Sequence, residues 1–229
     1  MKVSKLAVMA TAAVVAVYVR AIVFTPVDVR QGAAQKILYV HAPAAWVAFL
    51  AFGLVAVTSG LYLWLRDPKL DYIAESSAEV GLLFTTVVLL TGPLWAKPVW
   101  GAYWTWDARL TFTLVLWFVY VGYLVLRDAL DDRDMRARYS AVLGIVGAAL
   151  VPFIHLSVYM FRTMHPMPVL LKPSAPSMPP VMTVTLVSSF GAFTLLYAWL
   201  LRARYQLAVE REAVAQRRFT RAAGLEEVA

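Results

Sequence analysis

Six stretches of this chain run for about twenty residues with few charges, at roughly 6–24, 43–65, 78–96, 108–127, 139–161 and 181–201. A helix rises about 1.5 Å per residue and the hydrocarbon core of a bilayer is about 30 Å thick, so about 20 apolar residues cross it. The pattern predicts an all-α integral membrane protein with six transmembrane helices. The first stretch has the look of a secretory signal, because Lys2 and Lys5 precede it. It extends to Phe24 with no convincing small-residue cleavage site, which predicts a retained helix. No internal repeat and no soluble domain is evident.

Composition sharpens this picture. The 229 residues are 61% hydrophobic and 15% charged, against roughly 25% charged in a soluble domain. With no cysteine, the chain forms no disulfide or Cys-x-x-Cys redox pair, and it attaches no haem through thioethers. No Gly-x-x-x-x-Gly-Lys-Ser/Thr loop occurs, so ATP hydrolysis by this chain is not expected.

The formal charge of +7 reads as a topology signal. Seven of the 21 Lys and Arg (Arg20, Arg30, Lys36, Lys97, Arg109, Arg162 and Lys172) fall on one side of the six spans and fourteen on the other. The positive-inside rule then puts both termini in the cytoplasm. Residues 1–201 are expected to form the six-helix transmembrane unit, and 202–229 a charged cytoplasmic tail. That tail, Arg-rich with Glu210, Glu212, Glu226 and Glu227, suits a solvated or membrane-surface helix better than a nucleic-acid site. The connections 25–42, 97–107 and 162–180 come together on the outer face.

Trp95, Trp100, Trp104 and Trp106 fall within twelve residues between the third and fourth spans, and the segment closes on Asp107. Tryptophan is favoured at the membrane interface, but an ordinary belt does not need the spacing Trp100-Gly101-x-x-Trp104-x-Trp106-Asp107. An indole shelf suits a large flat aromatic ligand, because stacking and apolar burial grow with ring area. The porphyrin of haem is the candidate. Residues two apart on a helix are turned by about 200°, so positions 100, 104 and 106 cannot share one helical face. A loop or shallow turn is expected, with Gly101 permitting a tight turn or close backbone approach.

Two of the three histidines flank this segment on the same face. His41 lies in Tyr39-Val40-His41-Ala42-Pro43-Ala44-Ala45-Trp46, just before the second span, and His165 in Met164-His165-Pro166-Met167, just after the fifth. Neutral imidazole is the commonest protein ligand for haem iron. The pair reads as axial ligands, against the plainer alternative of two interfacial polar residues. Asp107, ahead of Ala108-Arg109-Leu110-Thr111, reads as a helix N-cap, as a group that orients a ligand histidine or an indole N–H, or as both. Arg109, Lys97, Arg162 and Lys172 are cations for haem propionates or ordinary interface anchors.

His155 stands ten residues before His165, about 15 Å deeper if the helix is continuous. An ionisable residue inside a span is a functional hypothesis by default. Here it is either a neutral histidine bonded to a neighbouring helix or a ligand for a second, buried haem. Glu75 and Glu79 read as helix N-terminal charges. Six prolines (Pro166, Pro168, Pro173, Pro176, Pro179 and Pro180) exclude a helix over 162–180. They predict an extended, semi-rigid loop that holds His165 over the tryptophans or meets a partner.

These residues resemble the tryptophan-rich (WWD) haem-handling family of cytochrome c biogenesis. The resemblance rests on Thr91-Gly92-Pro93-Leu94-Trp95, on Trp100 through Thr111, and on Pro26, Asp28, Gln31-Gly32 and Tyr39 through Trp46. It covers most of residues 20–200, and the length and six-span layout match the CcmC branch rather than its larger relatives. One stretch departs from the family pattern: Phe161-Arg162-Thr163-Met164-His165-Pro166 stands where tryptophans before the second histidine and a glutamine after it are expected.

The resemblance implies that His41 and His165 are axial ligands and that Trp95, Trp100, Gly101, Trp104, Trp106, Asp107 and Arg109 bind the porphyrin. It implies haem b as a transient cargo, held at the outer face of a bacterial plasma membrane. The implied partners are a periplasmic haem chaperone (CcmE-like), a single-span subunit (CcmD-like), ATP-driven transporter subunits (CcmA- and CcmB-like) and membrane lipid, with no nucleic acid. The function expected is that of an assembly factor rather than an enzyme. A haem transporter is the alternative, for which Arg20 and His155 would be the stepping-stones across the membrane. A b-type electron-transfer cytochrome fits less well, since one mid-span histidine cannot make a buried bis-histidine site.

Overall fold

Helix limits in this chain follow capping and pairing as much as hydropathy. The structure, a computed structural model, describes residues 4–170, 172 and 174–222. Lys2, Pro173, Glu226 and Glu227 lie outside the described residues, as does the end of the expected tail. The elements are α1 (Lys5–Val19), continued by a π-helical turn (Arg20–Phe24), α2 (Leu38–Leu65), led by a 3-10 turn (Ala33–Ile37), α3 (Pro68–Trp100), α4 (Ala108–Ala129), α5 (Arg133–Ala148), α6 (Leu150–Met160) and α7 (Pro180–Ala222). No β-strand occurs among the described residues. Six rods are long and apolar enough to cross a membrane, α5 and α6 together making the fifth. The six-helix membrane fold expected from hydropathy is the fold found. The break at Ala149 precedes Pro152, whose ring clashes with the carbonyl four residues back, that of Ala148.

Several helices overrun their apolar stretches. α3 starts at Pro68, ten residues before its hydrophobic run, because Asp67 accepts from Lys69 N at 2.9 Å as N-cap and Pro68 occupies the first turn. The polar turns gained this way are held by ion pairs. Arg127 on α4 bonds Asp71 at 2.6 and 2.9 Å and Glu75 at 2.9 Å, and Arg204 on α7 pairs with Glu79. Glu75 and Glu79 are therefore interhelical partners well past the first turn, not N-terminal charges. α7 runs unbroken across residue 201, and its Glu212 pairs with Arg133 at 2.8 Å and Arg136 at 3.8 Å on α5.

Between the ends, α2 packs most extensively on α3 and also meets α5 and α7, while α6 packs on α4. Lipid is as apolar as leucine, so close backbone approach and hydrogen bonds hold such a bundle together. A Cβ on Gly81 would stand 2.7 Å from Phe52 of α2, one on Gly144 2.8 Å from Val55, and one on Gly147 2.9 Å from Tyr120 of α4. Buried Ser77 Oγ donates to Ala51 O at 2.8 Å and accepts from Tyr197 OH at 2.8 Å, joining α2, α3 and α7. Such bonds contribute about 0.6 kcal/mol each in a membrane.

Candidate functional site

At the bundle end opposite these ion pairs, the three connections anticipated on one face do meet. The first loop turns on Asp28, whose Oδ1 accepts from Arg30 N and Gln31 N at 2.8 Å. Gln31 Oε1 then accepts the Trp95 indole N–H at 2.9 Å, docking this loop on α3. The loop after α6 docks on the tryptophan segment: Thr163 Oγ1 donates to Asp107 Oδ2 at 2.9 Å and accepts from His165 N at 3.0 Å.

These elements enclose a cavity of about 410 Å³, within the roughly 300–1,000 Å³ of small-molecule sites. α2 and α3 line it with His41, Gly92, Trp95 and Trp100, α4, α6 and the loop after α6 with Arg109, His155 and His165, and α7 with Met182, Leu186 and Phe190. It extends down α3 to Thr85, seven residues and so about 10 Å below Gly92. All three histidines line this one space.

The surrounding bonds set the tautomer of both flanking histidines. Thr91 Oγ1 gives its hydrogen to Val87 O at 2.7 Å, so towards His41 Nδ1, 2.9 Å away, it is the acceptor. His165 Nδ1 is 3.0 Å from Pro166 O, which can only accept. Each imidazole thus carries its proton on Nδ1 and keeps the Nε2 lone pair free, which is how a metal-ligating histidine is normally presented. Each ring also meets a tryptophan edge-to-face, His41 with Trp95 at 5.8 Å and His165 with Trp100 at 6.3 Å. Burial, then the positive charge of Arg109, hold the His165 pKa down at about 4, against the weaker opposing pull of Pro166 O and Asp107. The ring is neutral at physiological pH.

The unpartnered donors point to what fits here. Trp46, Trp95 and Trp117 each place the indole N–H on a side-chain oxygen, whereas Trp104 Nε1 is buried with none. Arg109 Nη1 is likewise buried without a partner. Leaving buried donors unmade costs about 1–3 kcal/mol each, so two of them in one apolar wall suit a ligand that carries acceptors. Two imidazole lone pairs, flat aromatic side chains and one cationic and one neutral donor match the iron, ring and propionates of haem.

A family model described as "Heme exporter protein C" (CcmC) matches residues 1–220. The chain belongs to the CcmC family. It is 39% identical over 194 residues to the "Heme exporter protein C" of Bradyrhizobium diazoefficiens, covering 84% of this chain and 72% of that one. To the protein of the same name from Haemophilus influenzae it is 36% identical over 189 residues, 82% and 77% of the two chains. A "cytochrome c biosynthesis ccmC-like mitochondrial protein" of Marchantia polymorpha is 38% identical over 140 residues, 61% and 59% of the two chains.

Against this family frame, the expected site residues part into two groups. His41, His165, Trp95, Trp100, Trp104 and Arg109 line the cavity; Gly101, Trp106 and Asp107 do not. Trp106 is 76% exposed and packs edge-to-face on Trp104 at 5.6 Å. The segment is thus partly a cavity wall, not one continuous shelf. Gly101 takes φ +81° and closes α3, its N–H bonding Lys97 O at 3.0 Å. Asp107 caps α4, accepting Leu110 N at 3.0 Å, and reaches His165 only through Thr163. Of the four outer-face cations, Arg109 is the one that lines the cavity; Lys97 bonds Gly101 O at 3.0 Å and Lys172 bonds Ser177.

Two expectations of local structure are corrected. α3 continues to Trp100, so Trp95 and Trp100 stand on a helix and only Trp104 and Trp106 on the connection. His41 lies inside α2, because Pro43 in its second turn is accommodated rather than starting the helix. α6 ends at Met160, which agrees with a non-helical 162–180 connection rather than a continuous helix from His155 to His165, and the loop returns His165 to the same cavity. Thr91, Gly92, Gln31 and Thr163 gained no role from sequence. The run Thr91-Gly92-Pro93 carried the signal: Thr91 fixes His41, and a Cβ on Gly92 would stand 3.3 Å from His41 Cε1.

Proposed function

We propose that this chain binds haem b as a transient cargo, coordinates its iron through His41 and His165, and delivers it to a periplasmic haem chaperone for cytochrome c assembly. The observation that carries the reading is the pair of Nδ1-protonated imidazoles lining one tryptophan-lined cavity, in a CcmC-family chain. Trp95, Trp100 and Trp104 pack the porphyrin, and Arg109 and the Trp104 N–H take a propionate. Asp107, Gly101 and Trp106 act at one remove. Asp107 holds the His165 loop through Thr163, Gly101 turns the chain into the tryptophan segment, and exposed Trp106 meets lipid or the incoming chaperone.

The charge asymmetry of the loops supports a bacterial inner-membrane location with both termini and the 202–229 tail in the cytoplasm and the cavity facing the periplasm. The partners supported by family membership are a CcmE-like chaperone, a CcmD-like single-span subunit and CcmA- and CcmB-like transporter subunits. The chain's own work is binding and presentation, not bond-making chemistry.

Titration of the purified protein with ferric haem tests the proposal. A six-coordinate, low-spin spectrum is expected in the parent protein, with its loss in His41→Ala and a changed axial ligand in His165→Ala. A spectrum identical in the parent and His41→Ala proteins would remove the site from this cavity.

A further inference from the structure

His155 is a polar residue that the two-ligand arrangement leaves unused. Resting on the haem-binding reading above, we propose that His155 is an inner, alternative ligand for the haem iron, on the side opposite His41. Haem then has two positions in the cavity: His41 with His165, and His41 with His155.

Placement is the first reason. His41 is mounted on α2, whereas His155, on α6, and His165, on the loop that leaves α6, come from a different part of the bundle, and all three line one cavity. Haem iron has two axial positions on opposite faces of the ring. One would be served by His41 of α2, and either of the two imidazoles carried by α6 and its following loop would serve the other.

The second reason is cost. His155 faces the cavity beside Ile154 and across from apolar α3 and α4 residues. It lies five residues before the end of α6, so about 7–8 Å inside that end. Among the described residues, neither ring nitrogen makes a hydrogen bond. A half-buried imidazole inside a membrane span without a partner is expensive to keep, and a metal ion that takes its lone pair removes that expense.

The third reason is how the two rings are mounted. His165 is held by a short chain of bonds from a non-helical segment, through Thr163 to Asp107 and through Pro166 O. His155 is fixed to a helix packed on α4. Hand-over of a bis-histidine haem requires one iron–nitrogen bond to open. When the Fe–N bond to His165 breaks, a new one to His155 Nε2 or Nδ1 forms. Neutral imidazole replaces neutral imidazole, no electron moves, and no proton is needed. The exchange frees the His165 loop without releasing the cargo, and run in reverse it carries newly arrived haem outward.

Ferric haem added to the full chain in detergent or nanodiscs separates the outcomes by absorption and electron paramagnetic resonance. His165→Ala should keep a low-spin, bis-imidazole population, because His155 supplies the sixth ligand. His165→Ala/His155→Ala should turn high-spin and five-coordinate, while His155→Ala alone stays low-spin. Thermal unfolding of the haem-free proteins, and a His165→Ala/His155→Phe variant that keeps the wall filled, guard against misfolding. The proposal is overturned if His165→Ala is already five-coordinate, or if the double variant stays six-coordinate. If a variant lacking all three histidines binds haem as the parent does, the underlying haem-site reading fails instead.

Discussion

Helix α4 carries an arginine near each end, one buried and one half-buried, and the two have opposite surroundings. Arg127, near the C-terminus, is 5% exposed and bonded to both Asp71 and Glu75, where the helix dipole also favours a cation. Arg109, two residues into the same helix, sits where the dipole disfavours a cation. It makes no ion pair among the described residues, and its Nη1 touches no acceptor. One arginine completes the fold; the other is kept in a costly state beside a cavity. The two ends of the bundle differ in ion pairing: one end is tied by Asp71–Arg127–Glu75, Glu79–Arg204 and Glu212–Arg133, while the cavity end leaves Arg109 Nη1, Trp104 Nε1 and two imidazole lone pairs facing or beside the cavity without such partners. Stability is concentrated at the first end and binding capacity at the second.

Substitution of the two arginines breaks that comparison most directly. Arg127→Ala should lower unfolding stability by about 3–5 kcal/mol, the usual consequence of stranding a buried partner charge, seen as a large fall in the Tm of the detergent-solubilised protein. Arg109→Gln should leave the haem-free Tm unchanged or raised. It should weaken haem binding by about 1.5–3 kcal/mol, the range for a hydrogen bond to a charged group, read by haem titration. Equal loss of stability in both variants would erase the distinction between the ends.

Smaller changes at the cavity end sharpen the comparison. Gly92→Val should displace the His41 ring, since even a Cβ there stands 3.3 Å from Cε1; a weakened low-spin haem spectrum with little change in Tm is expected. Thr163→Val should cost about 1 kcal/mol, the value of one ordinary hydrogen bond. It should be detected as faster haem loss, with the low-spin spectrum and His41-side features intact. Trp104→Phe keeps an aromatic ring and removes one N–H, so a comparably small effect, about 0.5–1.5 kcal/mol in haem affinity, is expected there and none in Tm.

The legibility of the chain divides along the same lines. Six apolar runs announced six spans because each must be long enough to cross the bilayer whatever it packs against. Trp95, Trp100, Trp104, His41 and His165 were conspicuous as rare residue types in convergent connections. Arg109 stood among four equivalent cations until its position in the cavity wall separated it from Lys97, Arg162 and Lys172. Glu75 and Glu79 were misplaced for the complementary reason: their partners, Arg127 and Arg204, lie 52 and 125 residues away, beyond any local pattern. Trp106 and Asp107 belong to the motif, yet a turn of backbone beyond Gly101 puts one outward and makes the other a cap.

Sequence alone determined the membrane class, the number of spans and the residue types available to hold a flat, iron-bearing ligand, because these depend on length, hydropathy and composition. Tertiary structure alone decided which of those residues share a space, which nitrogen of each histidine is free, and which charges are already spent. Those outcomes depend on contacts between segments far apart in the chain: Thr91 with His41, Gln31 with Trp95, Asp107 with Thr163. Such contacts arise only when the helices pack.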